Sequence, residues 1–360
     1  MSKIPNITGL RFFLAIIVLI FHLSEFSSKH EIPFYNDLPI FRKGFESVCM
    51  FFSLSGFLII RQLHLEKSCF NTISLGSFFK RRASRIFPLY FLILFFGLIY
   101  YKIILPQFGF VGGYNNDYNI FEGLLLSIFF MPNVFANLYS PGGIIETLWS
   151  IGVEEQFYLF IAPVLLWIPL KKQQLFLLLF TIIFFLVFFC VKGNLFSRFG
   201  MLFFYFTSSG LISLLLLNRN FCFKNNIFKF SSLSLFIIFF TTNFFINFFQ
   251  NASYHFVSMI LFSTVVGVLS QESYFILNNK LITYLGKISY GIYMYHSIVI
   301  QFLGLIYIKI VSQINLNYIL VIALYNFFAI LISVLISHYS YKFFELNFIN
   351  KSNNLTKNLL

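Results

Sequence analysis

Arg11 and His22 stand eleven residues apart in a stretch that is otherwise almost wholly apolar. On a helix this spacing is three turns plus about 20°, so both side chains share one face, about 16 Å apart along the axis. A guanidinium at the end of a groove and an imidazole deeper within it suit a long anionic ligand. Its charged head would stay at the Arg and its reactive end would reach the His. A snorkelling Arg and a His bonded to a neighbouring helix fit the same two residues. Arg82 and Arg85, in Lys80-Arg81-Arg82-Ala83-Ser84-Arg85, are three apart and share a helix face. Two guanidinium groups so placed can grip phosphate in a two-pronged fashion. For Lys80 and Arg81 the plainer reading is a basic anchor at a membrane edge.

Glu154 and Glu155 fall in Leu148-Trp149-Ser150-Ile151-Gly152-Val153-Glu154-Glu155-Gln156-Phe157-Tyr158. Packing alone does not account for two adjacent acids in an apolar run, and Glu154 and Tyr158 are i,i+4 neighbours. A buried carboxylate here would orient a His or bind a hydroxyl-rich acceptor. The other reading places both acids at the outer water boundary, which suits Glu155 better than Glu154. In Phe51-Phe52-Ser53-Leu54-Ser55-Gly56 the small residues permit close helix packing. Neither serine has the glycine pattern of a nucleophile elbow. His296 is a second histidine within an apolar run, and a satisfied structural role is the stronger reading for it. His30, His64, His255 and His338 read as loop or span-end residues and carry no assignment.

The elements that must hold these groups are membrane helices. Of 360 residues, 59% are hydrophobic and only 10% charged, against about a quarter charged in soluble domains. The apolar residues fall in runs, such as 175–191 and 292–308, which approach the roughly 20 residues needed to cross a bilayer. Hydropathy and flanking charge predict ten spans: 12–28, 44–60, 86–104, 148–169, 174–191, 200–217, 231–249, 254–270, 286–308 and 318–340. The expected fold is an all-α transmembrane bundle. Ionisable residues inside such spans tend to be functional. The net charge of +13 reads as positive-inside bias and not as nucleic-acid binding. With both termini cytoplasmic, the inner loops collect Arg61, Lys67, Lys80 to Arg85, Lys171, Lys172, Arg219, Lys224, Lys229, Lys280 and Lys287. The N-terminal segment and tail add Lys3, Arg11, Lys342, Lys351 and Lys357. The outer side then holds Glu25, Glu31, Asp37, Glu46, Asp117, Glu122 and Glu146, with Tyr35, Tyr114 and Tyr118. These can line an acceptor site, or be ordinary solvated loop residues.

Residues 121–131 make only half a span and read as re-entrant or interfacial; counted as a span, they would invert everything after them. Lys3 and Arg11 precede an apolar stretch with no small-residue cleavage site, which predicts a retained first helix. Four scattered cysteines give no metal site and no disulfide framework. The expected layout is a membrane domain over 1–345 and a short cytoplasmic tail over 346–360, without internal repeats.

In order, these segments resemble the acyltransferase family 3 proteins, inner-membrane acyltransferases that include O-antigen acetylases. The resemblance runs from Arg11 to His296. It rests on Arg11 and His22 with ten residues between, on FFxxSG at Phe51–Gly56, and on RxxR at Arg82–Arg85. Further matches are a WSxxxE-type motif at Trp149, Ser150 and Glu154, and the stretch Ile288-Ser289-Tyr290-Gly291-Ile292-Tyr293 leading to His296. Each motif is weak alone; in this order, with this topology, they are specific.

The resemblance implies a ten-helix protein of the bacterial inner membrane. It would move an acyl group, acetyl by default, from cytoplasmic acyl-CoA (acetyl-CoA) to a hydroxyl of a cell-surface sugar such as lipopolysaccharide O-antigen. It implies His22 as the catalytic residue and Glu154 as a functional acid. Arg11, Arg82 and Arg85 would surround the donor, and Ser150, Tyr158 and Ser55 would bind substrate. No metal is implied. His22 would act as general base or carry the acyl group transiently, and both routes stay open. One departure is Ser47-Val48-Cys49-Met50, where many members have an acid before the Phe pair; Glu46 is the nearest carboxylate. Many members also carry an extracytoplasmic hydrolase-like domain. This chain ends about 20 residues after its last span and is expected to act alone or with a separate partner. The competing class is a multi-span transporter or flippase of lipid-linked saccharides, whose repeat symmetry and paired broken helices are not evident here. An acyltransferase with a protein or lipid acceptor differs only in acceptor.

Overall fold

The computed structural model describes residues 4–107, 114–115, 117–217, 222–314 and 316–357. Among these the regular elements are helical throughout. The long helices are α1 (Ile7–Lys29), α2 (Gly44–Phe70), α3 (Leu75–Ile99), α4 (Trp149–Trp167), α5 (Gln173–Cys190), α6 (Phe203–Leu215), α7 (Asn226–Thr241), α8 (Asn251–Leu269), α9 (Ser289–Lys309) and α10 (Tyr318–Ser340). Each overlaps one expected span. Seven of them (α1, α2, α3, α5, α8, α9 and α10) lie in segments long and apolar enough to cross a bilayer. In α4 the run Glu154-Glu155-Gln156 lowers the hydropathy, while α6 and α7 are simply shorter. Lys3 and Arg219, counted above among the basic anchors, lie outside the described residues.

The half-span at 121–131 forms two short helices, Ile120–Ile128 and Pro132–Tyr139. Phe130 breaks them with φ +56°, just before a proline that cannot continue the first helix. At about 1.5 Å per residue neither is long enough to span. The expected tail is also helical: a π-helical turn at Tyr341–Glu345 carries α10 into a helix over Leu346–Lys357.

Packing divides the chain into two compact units. The first comprises Met1–Ile17, Asn36–Ile73 and Phe157–Lys287. Here α6 is central, and Phe206 stacks on Phe52 and Phe157 with ring centroids 4.7 and 4.3 Å away. Gly56 lets α2 meet α6 at backbone distance, since a Cβ there would stand 2.1 Å from the Phe206 carbonyl oxygen. Short side chains tie the helices across the apolar interior: Thr181 to Thr207 at 2.7 Å, Tyr205 to Ser258 at 2.7 Å, and Ser208 to Ser263 at 2.8 Å. Such ties satisfy polar groups that lipid cannot. Lys67 donates to the carbonyls of Leu165, Leu166 and Ile168, a cation placed where a helix C-terminus needs one. Glu46 is engaged by Lys43 at 3.3 Å and by the Tyr254 hydroxyl at 2.7 Å.

The second unit comprises Val18–Tyr35, Ser74–Gln156 and Ile288–Leu360. Tyrosine hydroxyls do most of the tying here. Tyr90 donates to the Ser127 carbonyl at 2.8 Å, Tyr290 to Ile86 at 2.9 Å and Tyr325 to Ile300 at 3.1 Å. Gln156 anchors the broken pair of short helices through Phe130 O at 2.6 Å and Asn133 Oδ1 at 2.8 Å.

Candidate active site

A cavity of about 660 Å³ lies within the second unit, a size that suits a small ligand. Four segments build most of its wall: the last turns of α1, the continuation of α3 past Tyr100, the segment Gly143–Trp149 that leads into α4, and the C-terminal half of α9; Tyr114 joins them from outside these elements.

His22 stands on this wall, with 29% of its side chain exposed. Its Nδ1 faces Glu25 Oε2 at 3.3 Å, and the other oxygen of Glu25 accepts from Lys29 at 2.9 Å. Spacings of three and four residues on one helix produce this line of three. An ionised carboxylate only accepts, so Nδ1 carries the imidazole proton and Nε2 keeps a bare lone pair. Such an arrangement can serve as a base with an orienting carboxylate. The His296 ring lies 5.2 Å from that of His22, centroid to centroid. His296 is fully buried and its Nδ1 faces the Tyr293 carbonyl, so it too has a fixed tautomer.

Another part of the wall is set by Tyr101. Its hydroxyl accepts from the Ile144 amide at 3.1 Å and from Gln301 Nε2 at 3.2 Å. Gly142 lies flat against the Tyr101 ring at φ +112°, where a Cβ would come within 2.4 Å of ring carbon. That close approach seats the turn that presents Glu146, whose Oε1 accepts the Gly142 amide at 3.3 Å. Burial pushes the Glu146 carboxyl above the usual carboxylate range. Trp149 and Tyr114 add aromatic faces.

The N-terminal end of α3 carries a different set of groups. From Arg85 to Tyr101 is sixteen residues, about 24 Å of helix. Arg82 lies over the Phe78 ring, and the buried Glu155 is close enough to Glu154 and Arg82 to feel both charges. Glu345, also buried, lies within electrostatic reach of Arg85 and accepts from Ser340 at 3.1 Å. Oε1 of Glu155 is buried without a hydrogen bond among the described residues.

A sequence family described as an acyltransferase domain matches residues 4–338. The chain belongs to this acyltransferase family. A Staphylococcus aureus (strain COL) protein named "Putative O-acetyltransferase" is 24% identical over 97% of the chain and 58% of its own length. O-acetyltransferase OatA of S. aureus strain NCTC 8325 is 25% identical over 95% of the chain and 56% of its own length. Peptidoglycan O-acetyltransferase OatA of Listeria monocytogenes is 29% identical over 47% of the chain and 25% of its own length. The chain thus spans a little over half the length of the first curated relatives it matches. No solved structure matches it. With seven membrane-capable helices among the described residues, this member of the family is a multi-pass membrane protein.

Within the acyltransferase fold the expected site residues separate. His22 lines the cavity. Glu154, Arg82 and Arg85 belong to the cluster at the other end of the same unit. Ser150 is buried behind the cavity wall and bonded to the Tyr293 hydroxyl at 2.7 Å. Tyr293 gives its own proton to the Thr147 carbonyl at 3.0 Å, so Ser150 is the donor. Arg11, Ser55 and Tyr158 belong to the first unit, Arg11 half-buried and the other two buried. Of the acids and tyrosines expected on the outer side, Glu25, Glu146 and Tyr114 line the cavity. Sequence reasoning did not pair Glu25 with His22, although the i,i+3 spacing offered the signal. Tyr101 and Gln301 carried no signal, since 200 residues separate them.

Proposed function

We propose that this chain is an O-acyltransferase that transfers an acetyl group from acetyl-CoA to a hydroxyl of a cell-surface saccharide in the bacterial inner membrane. One observation carries the reading: a histidine oriented by a carboxylate stands on the wall of a cavity, while a pair of arginines stands at the far end of the same helical unit. The arginines suit the phosphates of the nucleotide. The cavity, with aromatic faces and a few converging polar groups, suits a sugar ring. Arg11 is assigned to the donor on sequence grounds, as are Ser55 and Tyr158 to substrate and Glu154 to the functional acid.

In this reading Nε2 of His22 takes the proton of the acceptor hydroxyl as its oxygen attacks the thioester carbonyl. A C–O bond forms, the C–S bond breaks, and the proton passes from Nε2 to the departing CoA sulfur. Glu25 holds the ring and stabilises the imidazolium in between. The relatives named for O-acetylation, one of them for peptidoglycan, support a saccharide acceptor; O-antigen is the corresponding acceptor in a Gram-negative envelope. The test is CoA release from radiolabelled acetyl-CoA by the purified protein. Release that disappears in His22→Ala supports the reading. A wild-type protein that neither binds nor turns over any acyl-CoA contradicts it and favours a saccharide transporter.

A further inference from the structure

The lining of the cavity carries a charge bias. Its charged side chains are Glu25, Glu146 and Lys29, beside His22 and His30. Lys29 is spent on Glu25. Among the described residues Glu146 bonds only to the Gly142 amide and no cation forms an ion pair with it, though the charge of Lys29 reaches it. With both carboxyls ionised the wall bears one net negative charge, partly removed from water, where charge is felt more strongly than in bulk solvent. Trp149, Tyr101 and Tyr114 contribute flat apolar surface, and Gln301 a neutral polar group.

We infer that the cavity is an acceptor subsite that takes uncharged or amino-bearing sugar rings, and that Glu146 is the residue that excludes acidic ones. The inference rests on the saccharide acceptor proposed above and adds its charge class. A carboxylated ring would bring a second negative charge against Glu146, where the cation on the described wall, Lys29, is already paired with Glu25. The polyanionic donor would meet the same repulsion at this wall. Glu146 reaches this position because the turn at Gly142 is seated on the Tyr101 ring. It is a specificity residue and takes no part in the proton transfer at His22.

The protein supplies its own reporter. It has two tryptophans, Trp149 in the cavity wall and Trp167, which is 84% exposed. In the full chain carrying Trp167→Phe, emission comes from Trp149 alone. Three probes of equal length would be titrated: the neutral trimer of N-acetylglucosamine, its cationic de-N-acetylated form, and the anionic trimer of galacturonic acid. The neutral and cationic trimers are expected to bind at least about tenfold more tightly than the anionic one. Glu146→Gln keeps an oxygen for the Gly142 amide and should narrow that ratio to below about threefold. Glu146→Asp keeps the charge and should preserve most of the ratio, which separates loss of charge from loss of fold. The inference is overturned if the anionic trimer binds as well as the neutral one, if Glu146→Gln leaves the ratio unchanged, or if no trimer alters the emission. Sugar binding with the expected ratio in a protein that releases no CoA would leave the subsite standing and remove the enzymatic reading instead.

Discussion

At one end of the second unit, His22, Glu25, Lys29 and Glu146 face open space beside Trp149. At the other, Arg82, Arg85, Glu154, Glu155 and Glu345 gather among packed helices, with one carboxylate oxygen of Glu155 left without a hydrogen bond among the described residues. Helix α3 serves both ends, about 24 Å apart. The first end has a base, its orienting acid and a net negative wall. The second has the paired arginines set among three carboxylates. In the proposed reading the two ends divide by the groups they offer: paired guanidinium groups that suit a donor's phosphates at one, and a histidine with its orienting carboxylate beside open space at the other.

Substitutions at the two ends should therefore fail in different ways. The largest effect is expected from His22→Ala, which removes the base and should lower kcat by about 10²–10⁴-fold with little change in acetyl-CoA binding. Next comes Glu25→Gln, which preserves shape but lets the imidazole adopt the wrong tautomer; a fall in kcat of about 10²-fold is expected, with the KM for acetyl-CoA held. Arg85→Ala should do the converse, raising the KM for acetyl-CoA about tenfold, which is about 1.4 kcal/mol of lost binding, while kcat moves less. If Arg85→Ala instead lowered kcat alone, the division between the ends would break. Ser150→Ala should have the smallest effect, because its hydroxyl serves Tyr293 behind the wall. A loss of about 0.6 kcal/mol in stability and less than a threefold change in rate are expected. A pH titration sharpens the cavity end further. The groups facing Glu146 are Gly142 on its own turn, Lys29, Glu25 and His22 on α1, and Tyr101. Burial raises its carboxyl pKa, so acidification should neutralise it before an ordinary surface carboxylate. Discrimination against the anionic trimer should be present at neutral pH and fade as the pH falls through that raised value.

The arginine end was the more legible in the sequence. Arg82 and Arg85 announce themselves by spacing, and Glu154 and Glu155 by standing in an apolar run, because charge in such surroundings is conspicuous. Even so, Glu345, the last residue of the expected membrane domain, carried no assignment, and the π-helical turn after α10 is what returns it to the vicinity of Arg85. At the cavity end His22 was legible for the same reason as the arginines. Its surroundings were not, because four segments far apart in the chain meet there and no local spacing encodes the contact of Tyr101 with Gln301. The ten helical positions were readable from hydropathy. Their lengths were less so: α6 and α7 fall short of a full span, and the segment at 121–131 breaks at Phe130 into two short helices.

The most direct test of the divided site is transfer across a membrane. Protein oriented in sealed proteoliposomes would receive radiolabelled acetyl-CoA on one face and the N-acetylglucosamine trimer on the other. The account predicts that label reaches the trimer only when acetyl-CoA is on the Arg82 and Arg85 face and the sugar on the His22 and Glu146 face. Transfer only when both are supplied on the same face would contradict it.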